Sequence, residues 1–211
     1  MRFNPPGPKL SAEEWRRMLA AAQKMAQRGA ALILSGALPR GLPSGAYTRL
    51  IRLAHQSGRL AFLDCDGAAL VLGAKAGPFL VKPNLHELSL WAKTPLRSDR
   101  ATLAAARKLS EHTGGWVLVS LGEGGALLVN TSPTFAARAT LPRVRVLNTV
   151  GAGDALLAAA AQAVAGGRPP EDWLRAGVGA GTAATQSVAG CFPPAALVRQ
   201  FQERVEVRRL A

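Results

Sequence analysis

Short, unbroken apolar runs alternating with helix-length amphipathic segments are the feature that most narrows what this chain folds into. Ala31-Leu32-Ile33-Leu34, Leu60 to Leu63, Phe79 to Val81 and Trp116 to Ser120 carry no charge, and each follows a segment of helical character. A strand with no polar face is buried on both sides, and strands separated by helices belong to a parallel sheet covered by helices above and below. The intervening segments have the matching signals. Ser11-Ala12-Glu13-Glu14 is a capping box that opens a helix ending near Gly29, and Tyr47, Leu50, Ile51 and Ala54 share one helical face. Ser98 caps a helix over Ala101 to His112, which Gly114-Gly115 stops. Gly122-Glu123-Gly124-Gly125 turns tightly back into Ala126 to Val129, a second hairpin-like stretch is expected through Val144 to Leu147, and an Ala-rich helical region runs from Gly151 to Val188. The expected class is α/β, a three-layer sandwich with a mainly parallel sheet. At 211 residues without a break in composition, one domain over 1–211 is expected.

Lys and Arg total 26 against 13 Asp and Glu, a net charge of +13, which favours anionic ligands such as nucleotides and sugar phosphates. The basic residues are scattered, from Arg16 and Arg17 to Arg208 and Arg209, with no aromatic-interleaved stripe, so no nucleic acid is expected as a main partner. Cys65 and Cys191 stand alone, which supports neither a zinc site nor a disulfide framework and fits a reducing cytoplasm. The opening residues have no signal-peptide pattern, and no apolar run reaches membrane-spanning length; a soluble, cytoplasmic protein with no membrane partner is expected.

In open α/β sheets ligands gather outside the carboxyl ends of the strands, where Ser35 to Pro43, Lys82 to Glu87, Ser120 to Gly125 and Asn148 to Asp154 all fall. In Asn148-Thr149-Val150-Gly151-Ala152-Gly153-Asp154, two glycines let backbone approach a ligand closely at the start of a helix. The amides of Gly151, Ala152 and Gly153 suit the equatorial oxygens of a transferring phosphoryl group, and Asp154 suits the proton of an attacking hydroxyl. A plain helix start with an acidic first turn accounts for the same residues equally well. Asn84 and Glu87, three apart, suit the hydration shell of a magnesium ion, but taken alone a helix cap is the better account of them. His86 reads as a surface residue.

Together Ser35-Gly36-Ala37-Leu38-Pro39-Arg40-Gly41, Lys82-Pro83-Asn84-Leu85-His86-Glu87-Leu88, Val119 to Ala126 and Asn148 to Asp154 resemble four successive signatures of the PfkB sugar kinases, in that family's order and over nearly the whole chain. With Asn4-Pro5-Pro6-Gly7-Pro8 they look most similar to the 1-phosphofructokinase and tagatose-6-phosphate kinase branch. The resemblance implies a ribokinase-like fold and transfer of the ATP γ-phosphoryl group to a ketohexose phosphate, with ATP and Mg2+ as cofactors. It makes Asp154 the catalytic base and the amides of Gly151, Ala152 and Gly153 the anion hole. It places Asn84 and Glu87 at magnesium and phosphate, Lys82 at the nucleotide, Ser120 and Gly122 on the nucleotide's phosphate and ribose side, and Gly181 on the adenine side, in a more weakly matched stretch that helix packing through small residues also explains. Ser35, Gly36, Pro39 and Arg40 would line the substrate side, where a structural turn accounts for the Gly/Pro loop equally well. Asn148 stands where many family members have Asp. Family chains also begin with a sugar-contacting strand, a Gly-Gly segment and a β lid, so roughly a third of a family chain, including those N-terminal strands and the lid, is expected to be missing. An exposed sheet edge, open to a homodimer or other association, should follow. A nucleotide-binding fragment without sugar-kinase activity of its own is the alternative.

Overall fold

The computed structural model describes residues 7–188 and 191–210, so Asn4, Pro5 and Pro6 of the opening stretch lie outside it. The apolar runs become β1 (Ala31–Ser35), β2 (Leu60–Asp64), β3 (Leu80–Val81) and β4 (Trp116–Ser120), hydrogen-bonded in that order and all parallel. The helices between them are α2 (Ala46–Gln56), α3 (Gly67–Ala74), α4 (Leu85–Ala92) and α5 (Asp99–Thr113). Laying strands down in sequence with right-handed crossovers puts every connecting helix on the same face. That face, which α1 (Ala12–Arg28) joins, buries Leu63, Val81, Val117 and Val119.

Alternate residues of the same strands, Phe62, Leu80, Trp116 and Leu118, point the other way into a second core. It is covered by α6 (Ala152–Ala165) and α7 (Pro170–Thr185), with Trp173 of α7 packed edge-on to Trp116 at 4.8 Å between ring centres. The sandwich is therefore three-layered, as expected. α1 has the expected capping box, Ser11 with Glu14, and ends at Gly29.

After β4 the chain turns back, as the glycines predict, into β5 (Ala126–Thr131), antiparallel to β4. The second hairpin differs from the sequence reading. Its return strand is β6 (Thr134–Thr140), not Val144 to Leu147, which lie in the loop between β6 and α6. The Ala-rich region divides in two because Pro169 has no amide to continue a helix and Gly167 takes a φ of 67°. Two further elements, α8 (Ala195–Glu203) and β7 (Glu206–Arg209), were not anticipated; β7 closes the far side of the seven-stranded sheet against β6. At the other side β1 is the edge strand, with Ile33 45% exposed and Met18 and Met25 of α1 exposed beside that layer. Among the described residues no helix is long and apolar enough to cross a membrane.

Cys65, directly after β2, is buried, and burial, with Asp64, Asp66 and Glu87 nearby, pushes its thiol up to about 12; Cys191 is exposed. At about pH 8 a disulfide reagent should titrate Cys191 rapidly and Cys65 only after denaturation, since the thiolate is the reactive form. Equal fast reaction of both in the native protein would show that the end of β2 is open to solvent.

Candidate active site

The first polar residue to follow each apolar run stands at the carboxyl end of its strand: Ser35, Asp64, Lys82 and Ser120. The sheet brings them side by side. Ser35 is opposite Asp64 in register, the Lys82 amide donates to the Leu63 carbonyl at 2.8 Å, and Asn84 bridges to Ser120. Lys82 is only 4% exposed, and its Nζ lies 3.0 Å from Asp64 Oδ1. Burial pushes the Asp64 carboxyl above its ordinary range, Lys82 opposes the shift, and Asp154 adds to it.

The glycine motif comes over this ion pair from the opposite layer. Gly151, with a φ of 80°, precedes α6, and Asp154 stands in the first turn. A Cβ on Gly153 would lie 3.3 Å from Lys82 Nζ, tighter than ordinary contact, so the glycine lets the helix start settle on the ammonium group. The positive end of the helix and a buried cation are thereby set together, an arrangement that favours an anion. Asp154 Oδ1 accepts a 2.8 Å hydrogen bond from the Ser35 hydroxyl.

Asn84 and Glu87 form a complete capping box on α4. Asn84 Oδ1 accepts from the Glu87 amide at 2.8 Å, Glu87 Oε2 accepts from the Asn84 amide at 2.8 Å, and Asn84 Nδ2 donates to Glu87 Oε1 at 2.7 Å. Burial pushes the Glu87 carboxyl up, opposed by the hydrogen bond from Asn84 and the charge of Lys82. The cap does not remove the pair from the cleft, because both residues line it.

That cleft has a volume of about 890 Å³, within the usual size of a small-molecule site. Gly151, Ala152, Gly153 and Asp154 line it, as do Lys82, Ser120, Gly122 and Gly181. Gly181 also serves packing: a Cβ there would come within 3.1 Å of the Ala152 carbonyl, so its smallness lets α7 pack against the start of α6. Ser35, Gly36 and Arg40 do not line the cleft. Ser35 reaches it through Asp154, the Gly36 carbonyl accepts from the Tyr47 hydroxyl at 2.9 Å, and Arg40 Nε donates to the Gly7 carbonyl at 3.1 Å. His86 is exposed at the rim.

Two residues were missed in the sequence. Asp64 could have been found by the polar residue that ends every other parallel strand. Arg138 of β6 gave no local signal; its guanidinium donates to the Gly124 carbonyl at 3.3 Å from both Nε and Nη2 and pairs with Asp99, bracing the Gly122–Gly125 turn from behind. Asn148 has its own explanation: its Oδ1 accepts from the Val150 amide at 2.8 Å while its Nδ2 donates to the Ser187 carbonyl. A carboxylate has no proton for the second bond. The amides of Leu147 and Asn148 also donate to the Thr185 carbonyl, tying the loop before α6 to the end of α7.

The profile of the pfkB family carbohydrate kinases matches residues 2–196 of the chain. The 1-phosphofructokinase of Bacillus subtilis strain 168 is 31% identical over 208 residues, covering 99% of this chain and 67% of its own length. The 1-phosphofructokinase of Escherichia coli K12 is 37% identical over 156 residues, covering 74% of this chain and 49% of its own. Phosphofructokinase-2 from Escherichia coli, in its structure with potassium, superposes with a TM-score of 0.86 at 30% identity over 96% of this chain and 65% of that one. The chain thus spans between about half and two thirds of the length of these relatives. By its profile, its motifs and its fold, the chain belongs to the pfkB family of carbohydrate kinases.

Proposed function

We propose that the chain carries the ATP site and catalytic base of a phosphotransferase that passes the γ-phosphoryl group to a hydroxyl of a ketohexose phosphate, with fructose 1-phosphate the first candidate and tagatose 6-phosphate the next. The observation that supports it most is the start of α6 resting on the buried Lys82 ammonium, with Asp154 beside it in one cleft. Amides at a helix start and a buried cation suit the charge that spreads over the transferring group, which is held mainly by position and electrostatics. Asp154 accepts the proton of the attacking hydroxyl. In the same cleft Leu141, Val144, Val146 and Val178 offer an apolar seat for a purine.

Asn84 and Glu87 fit a magnesium ion held through water. Both Glu87 oxygens are engaged by Asn84, and no group of three or more His, Cys, Asp or Glu placed to hold a metal occurs among the described residues. A hydrated ion shared with the nucleotide phosphates asks for no more than this. When bound, it would neutralise phosphate charge.

The open β1 edge favours a second reading: a nucleotide-binding part that turns over sugar phosphate only when β1 is covered, by a second copy or another polypeptide. One set of measurements tests both. Magnesium-ATP should bind by calorimetry, and ADP release should rise with fructose 1-phosphate or tagatose 6-phosphate, run beside light scattering for mass. Binding without sugar-dependent release gives the second reading. A folded sample showing no heat and no thermal shift at millimolar nucleotide overturns both.

A further inference from the structure

We propose that Ser35 is a positioning residue: its hydroxyl, fixed at the end of β1 beside the Asp64–Lys82 ion pair, holds the Asp154 carboxylate in place at the cleft. The proposal rests on Asp154 as the proton acceptor. Asp154 is an exposed side chain in a helical first turn, where an aspartate samples several rotamers unless something restrains it. The restraint comes from across the molecule, since Ser35 and Asp154 are 119 residues apart and belong to different layers.

Ser35 is well placed to impose it. Its register opposite Asp64 is set by the β1–β2 ladder, the next amide, Gly36, donates to the Asp64 carbonyl at 2.9 Å, and its own carbonyl accepts from the Tyr47 hydroxyl at 3.2 Å. The hydroxyl also lies within reach of the Asp64 carboxyl. A serine hydroxyl has one proton and gives it to one carboxylate at a time. Asp64 already has the Lys82 ammonium at 3.0 Å, so the proton goes to Asp154 Oδ1 at 2.8 Å. That contact occupies one oxygen of Asp154 and leaves Oδ2 for a substrate hydroxyl. The ion pair keeps the serine from being drawn the other way. Ser35 thus acts through Asp154, in contrast to the direct sugar-phosphate contact that the sequence resemblance implies.

The test compares Ser35→Ala, Ser35→Cys and Ser35→Thr in the same chain. Because Ser35 is exposed, these changes leave the core intact. Three-bond couplings from backbone nitrogen and carbonyl carbon to Asp154 Cγ report its χ1. The native protein and Ser35→Thr should show one rotamer, whereas Ser35→Ala should show averaged couplings, with amide shifts beyond Ala155 in α6 unchanged. Ser35→Cys, a weak donor, should fall between. Turnover should drop about tenfold in Ser35→Ala with the KM for ATP within about twofold, and Ser35→Thr should recover it, as expected for lost orientation with binding unaffected. An averaged Asp154 in the native protein, or a single rotamer kept in both Ser35→Ala and Ser35→Cys, overturns the proposal. Averaged couplings in Ser35→Ala together with undiminished turnover in Asp154→Asn would leave the positioning standing and sink the base assignment.

Discussion

Asp154→Asn should lower phosphoryl transfer by about two to four orders of magnitude, the usual worth of a positioned general base, while ATP affinity stays within about threefold. The two quantities separate because they depend on different groups. In the proposed reaction the nucleotide phosphates would meet the backbone at the start of α6 and the buried Lys82, neither of which the substitution alters, whereas only the carboxylate would take a proton from the acceptor hydroxyl. The asparagine keeps the size and the acceptor oxygen that meets Ser35, so the local hydrogen bond at 2.8 Å survives. Gly153→Val is the contrasting change. Its side chain would enter the space where a Cβ already lies 3.3 Å from Lys82 Nζ, lifting the helix start off the ammonium and weakening nucleotide binding as well. Calorimetry with magnesium-ATP and a coupled ADP-release assay measure the two effects. An Asp154→Asn protein that keeps more than about a tenth of native turnover would remove Asp154 from the chemistry.

Much of this architecture was legible because the parallel strands carry no polar face. A run such as Leu60 to Leu63 has nowhere to go except between two helical layers, and its companions repeat the message. The later strands gave no such signal. β6, Thr134-Phe135-Ala136-Ala137-Arg138-Ala139-Thr140, is alanine-rich and weak in β propensity; it is a strand because β5 and β7 pair with it on either side. β7, Glu206-Val207-Arg208-Arg209, is polar as an edge strand can be, and reads as a surface tail. At the site, Asn84 and Glu87 illustrate a limit of spacing. Residues three apart favour a cap over an ion, and it is their placement in the cleft that leaves the second use open. Arg40 illustrates the other limit, since its motif identifies a loop but cannot say that the guanidinium turns toward Gly7.

The ion pair beneath the glycine motif gives the largest expected effect on stability. Lys82 and Asp64 side chains are 5% and 15% exposed, so neither charge has much water to fall back on. Lys82→Met keeps most of the length of the side chain and removes the charge, leaving a buried carboxylate without its partner, a change that costs about 3–5 kcal/mol when the remaining group stays ionised. The loss should depend on pH. Burial already holds the Asp64 carboxyl above its ordinary range with Lys82 opposing, and without the ammonium it rises further. As pH rises from the unfolded-state value of about 3.9, the unfolded chain gives up the Asp64 proton before the folded one does, so the folded state is progressively penalised until pH passes the folded value. Below that window the carboxyl is neutral in both states and the penalty disappears. Urea unfolding of native and Lys82→Met proteins across this range should therefore show a deficit that is large near neutrality and shrinks toward about pH 4. Asp64→Asn in the Lys82→Met background should recover most of the deficit at neutral pH, because it removes the stranded charge while keeping a side chain of the same shape. A loss below about 1 kcal/mol at neutrality, unchanged by pH and not relieved by the second substitution, would mean that Lys82 and Asp64 are solvated separately and that the start of α6 does not rest on a buried cation.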